Sequence, residues 1–217
     1  MGMNHKLGEL SRALIDGKHL LAEEITRELL SEGVDPRTVL DMGLMAGMEV
    51  VGRNFKEGII FLPQVLVSAR AMKTSMNVLE PFLARSSYRS KGKILLGTVK
   101  GDVHDIGKNL VAIMLRGAGY EVFDIGVGRS ADEFVQMCEQ HAPDVVGLSA
   151  LLTTTMLYMK VVIDSFAARG IRVPVIVGGA PVTNRFASEI GAAGYARNAA
   201  DAVELVKSIM NRTGRGV

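Results

Sequence analysis

The chain has 217 residues and a formal net charge of +2, which is too small to supply the basic surface that binding to nucleic-acid phosphates requires. Its single cysteine, Cys138, excludes an internal disulfide framework and a cysteine-rich zinc site. No segment approaches the roughly 18 consecutive apolar residues of a membrane span, and the first residues lack the pattern of a signal peptide, so we expect a cytoplasmic protein without membrane attachment.

Residues 1–88 carry apolar side chains at helical spacing, in four groups that turn signals separate. The groups lie at 10–15, 20–30, 39–48 and 65–76. Gly33 follows the second group, Pro36 precedes the third, and Pro63 precedes the fourth, as expected at helix ends and helix starts. The pattern predicts a four-helix bundle that forms a first domain over 1–88.

Residues 84–92, ARSSYRSKG, have no apolar period and predict a linker. After it, over 92–213, apolar runs typical of buried strands alternate with helical segments. The predicted strands are 93–99, 120–126, 144–150 and 173–179 with a weak fifth at 194–195, and the predicted helices are 107–117, 131–141, 155–169 and 201–211. This alternation predicts an α/β domain with a doubly wound (Rossmann/flavodoxin-like) parallel sheet.

Ligands of such sheets bind beyond the carboxyl ends of the strands. Three segments at these positions carry candidate ligand residues, namely GDVHDIGKN at 101–109, SALLTTT at 149–155 and GGAP at 178–181. Asp102, His104 and Asp105 form the one ionisable cluster among them. A carboxylate bonded to one ring nitrogen of a histidine makes the other nitrogen a stronger metal donor, so this loop favours metal ligation.

Each of these features also has a purely structural interpretation. His104 could be a solvated or capping residue, a hydroxyl of 149–155 could cap the next helix, and Gly178 with Gly179 could form a plain turn. The motifs GxGxxG after the first strand and GxxxxGK[ST] are both missing from the sequence, which disfavours a nicotinamide cofactor or a nucleoside triphosphate.

The segments DVHDIG (102–107), SAL (149–151) and GG (178–179) closely resemble the Asp-x-His-x-x-Gly, Ser-x-Leu and Gly-Gly signature of cobalamin-binding domains. Residues 48–73 are similar to the helical cap that precedes this domain in cobalamin-dependent methionine synthase and in the small corrinoid proteins of methyltransferase systems. The resemblance covers residues 5–210, so it includes both predicted domains.

The resemblance implies a bound cobalamin or related corrinoid, such as methylcobalamin, with His104 as the lower axial ligand of cobalt. Asp102 would hydrogen-bond the imidazole, and Thr155 would end this relay where methionine synthase has a serine. The other corrinoid-binding residues that it implies are Val103, Asp105, Ile106, Gly107, Ser149, Leu151, Thr153, Gly178, Gly179, Tyr195 and Ala199, together with Phe55 and Leu62 of the cap, which would shield the methyl group.

The resemblance further implies a methyl carrier. A substrate:corrinoid methyltransferase would load the cobalt, a second methyltransferase would pass the methyl group to tetrahydrofolate or a thiol, and a reductive activator protein would be a third partner. Similar carriers serve methylamines, methanol, aromatic methyl ethers, glycine betaine and methyl thiols. The alternatives are a cobalamin-dependent sensor or regulator without its DNA-binding module, and the cobalamin subunit of an adenosylcobalamin mutase, which does not need a methyl cap.

Overall fold

The structure, a computed structural model, describes residues 2–83 and 90–214 and divides the chain into two compact units, 1–89 and 90–217. The first unit is helical and the second is α/β, which confirms the predicted fold class. Most of the predicted linker, residues 84–89, lies outside the described residues. The domain limits at 88 and 92 therefore stay predictions.

The first unit consists of helices in succession. They are α1 (Met3–Ile15), α2 (His19–Ser31), α3 (Pro36–Thr38), a π-helical segment (Val39–Met45), α4 (Ala46–Lys56) and α5 (Leu62–Leu83). Because α3, the π-helical segment and α4 follow one another without a break, residues 2–83 contain four continuous helical stretches. Asp35 caps the third stretch by accepting a hydrogen bond from the backbone N–H of Thr38 at 3.1 Å, and Pro36 occupies its first turn.

Apolar side chains at helical spacing form the core of this unit. Fully buried examples are Leu10, Leu14, Leu29, Leu44 and Leu79. A Cβ at Gly43 would lie 2.7 Å from Cδ2 of Leu10. Glycine at this position of the π-helical segment therefore permits α1 to pack closely against it.

The second unit is built on a five-stranded parallel sheet with the order β2-β1-β3-β4-β5. The strands are β1 (Lys93–Thr98), β2 (Glu121–Asp124), β3 (Val145–Ser149), β4 (Val175–Gly178) and β5 (Gly194–Ala196). The helices are α6 (Ile106–Gly117), α7 (Ala131–His141), α8 (Thr153–Met156), α9 (Tyr158–Ala168), α10 (Asn184–Glu189) and α11 (Ala199–Arg212). This strand order is that of flavodoxin-like doubly wound sheets.

Both faces of the sheet are covered, because successive side chains of a strand point to opposite sides. On one face, residues such as Ile94 and Ile176 pack with the apolar sides of α6 and α11. On the other face, residues such as Leu95 and Val177 pack with those of α7 and α9. The edge strand β2 differs, since none of its side chains is fully buried.

Three details of the predicted elements are corrected by the structure. The strands β1 to β4 end within their apolar runs, because the last residues of each run turn away into loops. The helix predicted at 155–169 is interrupted at Leu157 and starts earlier, at Thr153. The short α10 was not predicted, because its six residues bury only Ala187 and thus show no helical period. In residues 2–83 and 90–214, the helices are all too short or too polar to cross a membrane.

Candidate functional site

The loop between β1 and α6 carries Asp102 and His104 at the carboxyl edge of the sheet. It begins with a tight turn in which the backbone N–H of Asp102 donates to the carbonyl oxygen of Val99 at 3.1 Å. Gly101 has φ +84° in this turn, a backbone conformation that glycine adopts without strain. The turn directs the Asp102 side chain into the protein and leaves the loop beyond it exposed.

Asp102 is fully buried and joins this loop to the segment that follows β3. Its Oδ1 accepts hydrogen bonds from Nδ1 of His104 at 2.7 Å and from the backbone N–H of His104 at 3.1 Å. Its Oδ2 accepts from the backbone N–H groups of Leu151 (2.8 Å) and Leu152 (3.3 Å), and from the hydroxyl of Thr155 (2.6 Å). Both carboxylate oxygens are therefore saturated with donors.

These donors keep Asp102 ionised. Burial raises the pKa of the carboxyl group, but the Thr155 hydroxyl, the Leu151 N–H and His104 together hold that pKa well below its usual value. A carboxylate only accepts hydrogen bonds, so the proton of the neutral imidazole is assigned to Nδ1 of His104. Nε2 then carries the free lone pair.

The other side of the imidazole is open. The His104 side chain is 47% exposed, and within 2–83 and 90–214 Nε2 makes no hydrogen bond. The described residues also contain no group of three or more His, Cys, Asp or Glu side chains that could hold a metal ion together. A single imidazole donor fits a metal whose other positions are filled by its own macrocycle.

Apolar side chains flank the histidine loop and face solvent. Val103 is 74% exposed, Ile106 is 71% exposed, and Leu151 and Leu152 are each more than 40% exposed. Contiguous exposed apolar surface around one polar donor is typical of a ligand site. Its chemistry fits the lower face of a large, flat ring system with a metal at its centre.

Packing within the fold accounts for the two glycines at the end of β4, Gly178 and Gly179. Gly179 has φ +134°, and a Cβ there would lie 1.8 Å from the carbonyl oxygen of Ala150. A Cβ at Gly178 would lie 3.1 Å from the carbonyl oxygen of Ala196. The pair therefore lets the chain after β4 approach the ends of β3 and β5, and contact with a corrinoid stays a prediction.

The remaining predicted residues of the α/β unit lie at the same edge but in different surroundings. Ser149 ends β3 beside Thr98 and Gly178, its partners on the neighbouring strands. Thr153 is exposed at the start of α8. Tyr195 is half-buried in β5, and Ala199 is buried in the first turn of α11.

Two further residues of the histidine motif, Asp105 and Gly107, lie at the start of α6. The Asp105 carboxylate accepts a hydrogen bond from the Asn109 side chain at 3.0 Å. Gly107 is exposed in α6, and a Cβ there would meet no atom within 4 Å.

The interpretation of the 149–155 hydroxyls as a helix cap is wrong. Helix α8 starts after Leu152 without a side-chain cap. The Thr155 hydroxyl instead donates to Asp102, and it also lies 3.0 Å from the carbonyl oxygen of Leu152. This hydroxyl therefore belongs to the hydrogen-bond network of Asp102 and does not cap α8.

Phe55 and Leu62 belong to the first unit. Phe55 lies near the end of α4 and Leu62 is the first residue of α5, and both are half-buried. The short connection between the two helices exposes Ile59 and Phe61. This connection lies within the segment that resembles the methyl cap.

Sequence reasoning missed Thr98 and Lys108. The buried hydroxyl of Thr98 donates to the carbonyl oxygen of His104 at 2.9 Å. Lys108 is buried in the first turns of α6, where Nζ donates to Asn109 at 2.8 Å and to Asp124 at 2.5 Å. Two sequence signals could have identified these residues. They are a threonine at the end of an apolar strand and a lysine on the buried side of a helix.

Two family models match this chain, and both are described as a B12 binding domain. One covers residues 92–204 and the other covers 7–80. A corrinoid protein of Desulfitobacterium hafniense (strain Y51) is 44% identical over 211 residues, which are 95% of this chain and 98% of that protein. The chain belongs to the corrinoid proteins.

Other corrinoid proteins are similar over nearly the whole chain. The trimethylamine corrinoid protein of Methanosarcina barkeri is 40% identical over 209 residues, 94% of this chain and 96% of the relative. The crystal structure of the methanol:cobalamin methyltransferase complex MtaBC from the same organism matches with a TM-score of 0.88 and 34% identity, over 95% of this chain and 80% of that one. The predicted family and the predicted cofactor, cobalamin or a related corrinoid, are confirmed.

Proposed function

We propose that this corrinoid protein carries a methyl group on cobalt between two methyltransferases, and that His104 is the lower axial ligand. The observation that carries the proposal is the Asp102–His104 pair, in which a buried carboxylate holds Nδ1 and leaves Nε2 exposed. The similarity to a trimethylamine corrinoid protein and to a methanol:cobalamin methyltransferase complex supports methyl transfer as the activity.

The corrinoid fits the α/β unit through residues at one edge of the sheet. Nε2 of His104 would bind the cobalt from below, and Val103, Ile106 and Leu151 would lie against the ring. A bound corrinoid supplies a metal centre that accepts a methyl group from one compound and releases it to another. The chain itself has to hold, orient and tune this centre.

Asp102 performs the tuning through its two oxygens. Oδ1 keeps the proton on Nδ1, so that Nε2 is basic, and Oδ2 is fixed by Leu151 and Thr155. In this proposal His104 would hold the metal through Nε2, and Asp102 with Thr155 would keep the ring oriented for that bond.

The helical unit would act as the cap. Phe55 and Leu62 would shield the upper, reactive side of the ring, which excludes water between transfers. In this assignment residues 1–88 are the cap and residues 92–213 hold the corrinoid. In this proposal the cap would move aside for each partner, and its motion would be part of turnover.

The partners are proposed from the relatives, which include a methanol:cobalamin methyltransferase complex. A substrate:corrinoid methyltransferase would supply the methyl group, and a corrinoid:acceptor methyltransferase would pass it to tetrahydrofolate or a thiol. A reductive activator protein would restore oxidised cobalt. Because the relatives include trimethylamine and dimethylamine corrinoid proteins and a methanol:cobalamin methyltransferase complex, methylamines and methanol are the classes of methyl donor to test.

The first test uses the chain reconstituted with cobalamin. Electron paramagnetic resonance of the cobalt(II) form, in protein with labelled imidazole nitrogen, should show an axial histidine nitrogen in the wild type, and His104→Ala should lose it while the chain stays folded. An exposed histidine of the first unit provides the control, since His5→Ala should keep the signal. An unchanged axial nitrogen in His104→Ala would refute the ligand assignment.

The same preparation tests the carrier role. The methylated protein should transfer its methyl group rapidly only when the cognate methyltransferases are added. Rapid turnover by the isolated chain, with both a methyl donor and an acceptor, would show a self-sufficient methyltransferase. Cobalamin-dependent binding to a specific DNA sequence would instead place the chain among the regulators.

A further inference from the structure

Thr98 is a buried hydroxyl in a place where an apolar side chain would be expected. It is the last residue of β1, it is fully buried, and the four residues before it in the strand are buried and apolar or glycine. A hydroxyl that is removed from water costs free energy unless it is hydrogen-bonded. Valine has nearly the same shape as threonine and a high strand propensity. A threonine at this position therefore indicates that its hydroxyl makes a hydrogen bond, which valine could not make.

That partner is the main chain of His104. The Thr98 hydroxyl donates to the carbonyl oxygen of His104 at 2.9 Å, and in the described part of the chain it makes no other hydrogen bond. The contact joins the end of β1 to the peptide group that follows the histidine. This peptide group leads directly through Asp105 into α6.

His104 is thereby fixed at three atoms. Asp102 accepts from its backbone N–H and from Nδ1, and Thr98 holds its carbonyl oxygen. The contacts with Asp102 fix the ring and the N–H side of His104, whereas the contact with Thr98 fixes its carbonyl side directly to the end of β1. Without the second constraint, the peptide plane after His104 could rotate and move Nε2.

The backbone of Thr98 also ties this point to the neighbouring loop. Its N–H donates to the carbonyl oxygen of Gly126, and its carbonyl oxygen accepts from the N–H of Arg129, both at 2.9 Å. Thr98, whose hydroxyl donates to the His104 carbonyl oxygen, is therefore held by main-chain hydrogen bonds at both its N–H and its own carbonyl oxygen. A rigid donor is what placement of a metal ligand requires.

We propose that Thr98 is a positioning residue for axial ligation: its hydroxyl locks the peptide group after His104 and so places Nε2 at the distance that cobalt requires. The inference rests on the proposed role of His104 as the axial ligand. It assigns a function to a residue that touches neither the metal nor the imidazole.

The test compares Thr98→Val, which removes only the hydroxyl, with Thr98→Ser, which keeps it. Each variant and the wild type are reconstituted with cobalamin. Two quantities are measured, namely the fraction of cobalt(II) with an axial nitrogen in electron paramagnetic resonance and the cobalt(II)/cobalt(I) potential. We expect coordination about tenfold weaker in Thr98→Val, in line with the loss of one hydrogen bond, and wild-type behaviour in Thr98→Ser.

The potential provides a readout that packing alone does not move. Axial nitrogen stabilises cobalt(II) over four-coordinate cobalt(I), so weaker coordination makes the potential more positive, by about 59 mV for a tenfold change in a one-electron couple. Thr98→Ala and Thr98→Ser form a second pair that differs by the hydroxyl, in case Thr98→Val does not fold.

The outcomes separate this inference from the proposed function. If the variants without the hydroxyl keep the wild-type potential and axial signal, Thr98 is only structural and the inference is wrong. If Thr98→Ser shifts as much as Thr98→Val, the hydroxyl does not account for the effect, because serine keeps it, and this result also overturns the inference. A wild type without axial nitrogen refutes the ligand role of His104, and the inference with it.

Discussion

Gly179 and Gly107 belong to two motifs of the candidate site, but their surroundings differ completely. Gly179 has a left-handed φ of +134° and faces the backbone of Ala150, which cannot yield as a flexible side chain could. Gly107 lies in α6 with open space where a side chain would stand. One glycine is thus required by the fold, whereas the other is free of such a constraint.

We expect opposite effects on stability from the same substitution. Gly179→Ala should lower the free energy of unfolding of the cofactor-free chain by about 2 kcal/mol or more, because the backbone has to move. Gly107→Ala should raise it by about 0.5 to 1 kcal/mol, since alanine favours the helix. Urea unfolding followed by circular dichroism measures both.

A corrinoid titration of Gly107→Ala then tests the role that the resemblance implies. If Gly107 gives the ring room, the variant should bind cobalamin more weakly than the wild type although its fold is more stable. Unchanged affinity would remove Gly107 from the site. Equal losses of stability in both variants would contradict the packing argument.

At the scale of the element, α7 begins with a capping box. The Ser130 hydroxyl accepts from the backbone N–H of Glu133, and the Glu133 carboxylate accepts from the backbone N–H of Ser130 at 2.8 Å. That N–H, the Arg129 guanidinium and the Ser130 hydroxyl lower the pKa of Glu133 from 4.5 to about 2. Because the pKa is lower in the folded state, this carboxylate stabilises the fold above its unfolded pKa and less as the pH falls towards 2.

Glu133→Gln should therefore remove a pH-dependent part of the stability. At pH 6 the variant should be less stable than the wild type by about 0.5 to 1 kcal/mol, a modest value because the carboxylate is partly exposed. The difference should shrink between pH 4.5 and pH 2. Urea unfolding at several pH values measures it, with Glu139→Gln on the same helix as the control. A difference that stays constant with pH would contradict this account.

The elements with a strong apolar period could be predicted from the sequence, and the others could not. Helix α7 was predicted at its observed limits because its buried residues recur at helical spacing. Helix α10 has too few buried residues to show a period. In the site, the pairing of Asp102 with His104 is local, whereas the contact of Thr98 with His104 depends on how the loop returns to the strand. Such a contact leaves no periodic signal.

At the scale of the whole molecule, the two units of the chain have separate roles in the proposed function. The α/β unit contains His104, the proposed metal ligand, and the helical unit contains Phe55 and Leu62. The two side chains are half-buried, so a part of each is available to a ligand. Their proposed role concerns the reactivity of the bound methyl group rather than the binding of the corrinoid.

Phe55→Ala and Leu62→Ala should each leave the affinity for cobalamin nearly unchanged but speed photolysis of the bound methylcobalamin, because water and oxygen reach the upper side of the ring. Affinity is measured by titration, and photolysis is measured by absorbance. Leu20→Ala removes a side chain that is 70% exposed in α2 and should change neither quantity. Loss of thermal stability without faster photolysis would show that the two residues serve only folding.

The hydrogen bonds of Asp102 also set an order of events during synthesis. Its Oδ2 is held by residues 49 to 53 positions later in the chain, so this oxygen gains its donors only after the segment that follows β3 has been synthesised. The helical unit precedes this segment and needs none of it for its own core. We therefore expect a chain interrupted before residue 155 to keep the local contact of Asp102 with His104 but to lack the Thr155 hydroxyl that helps to hold Oδ2, so that capture of the vitamin would follow the synthesis of α8.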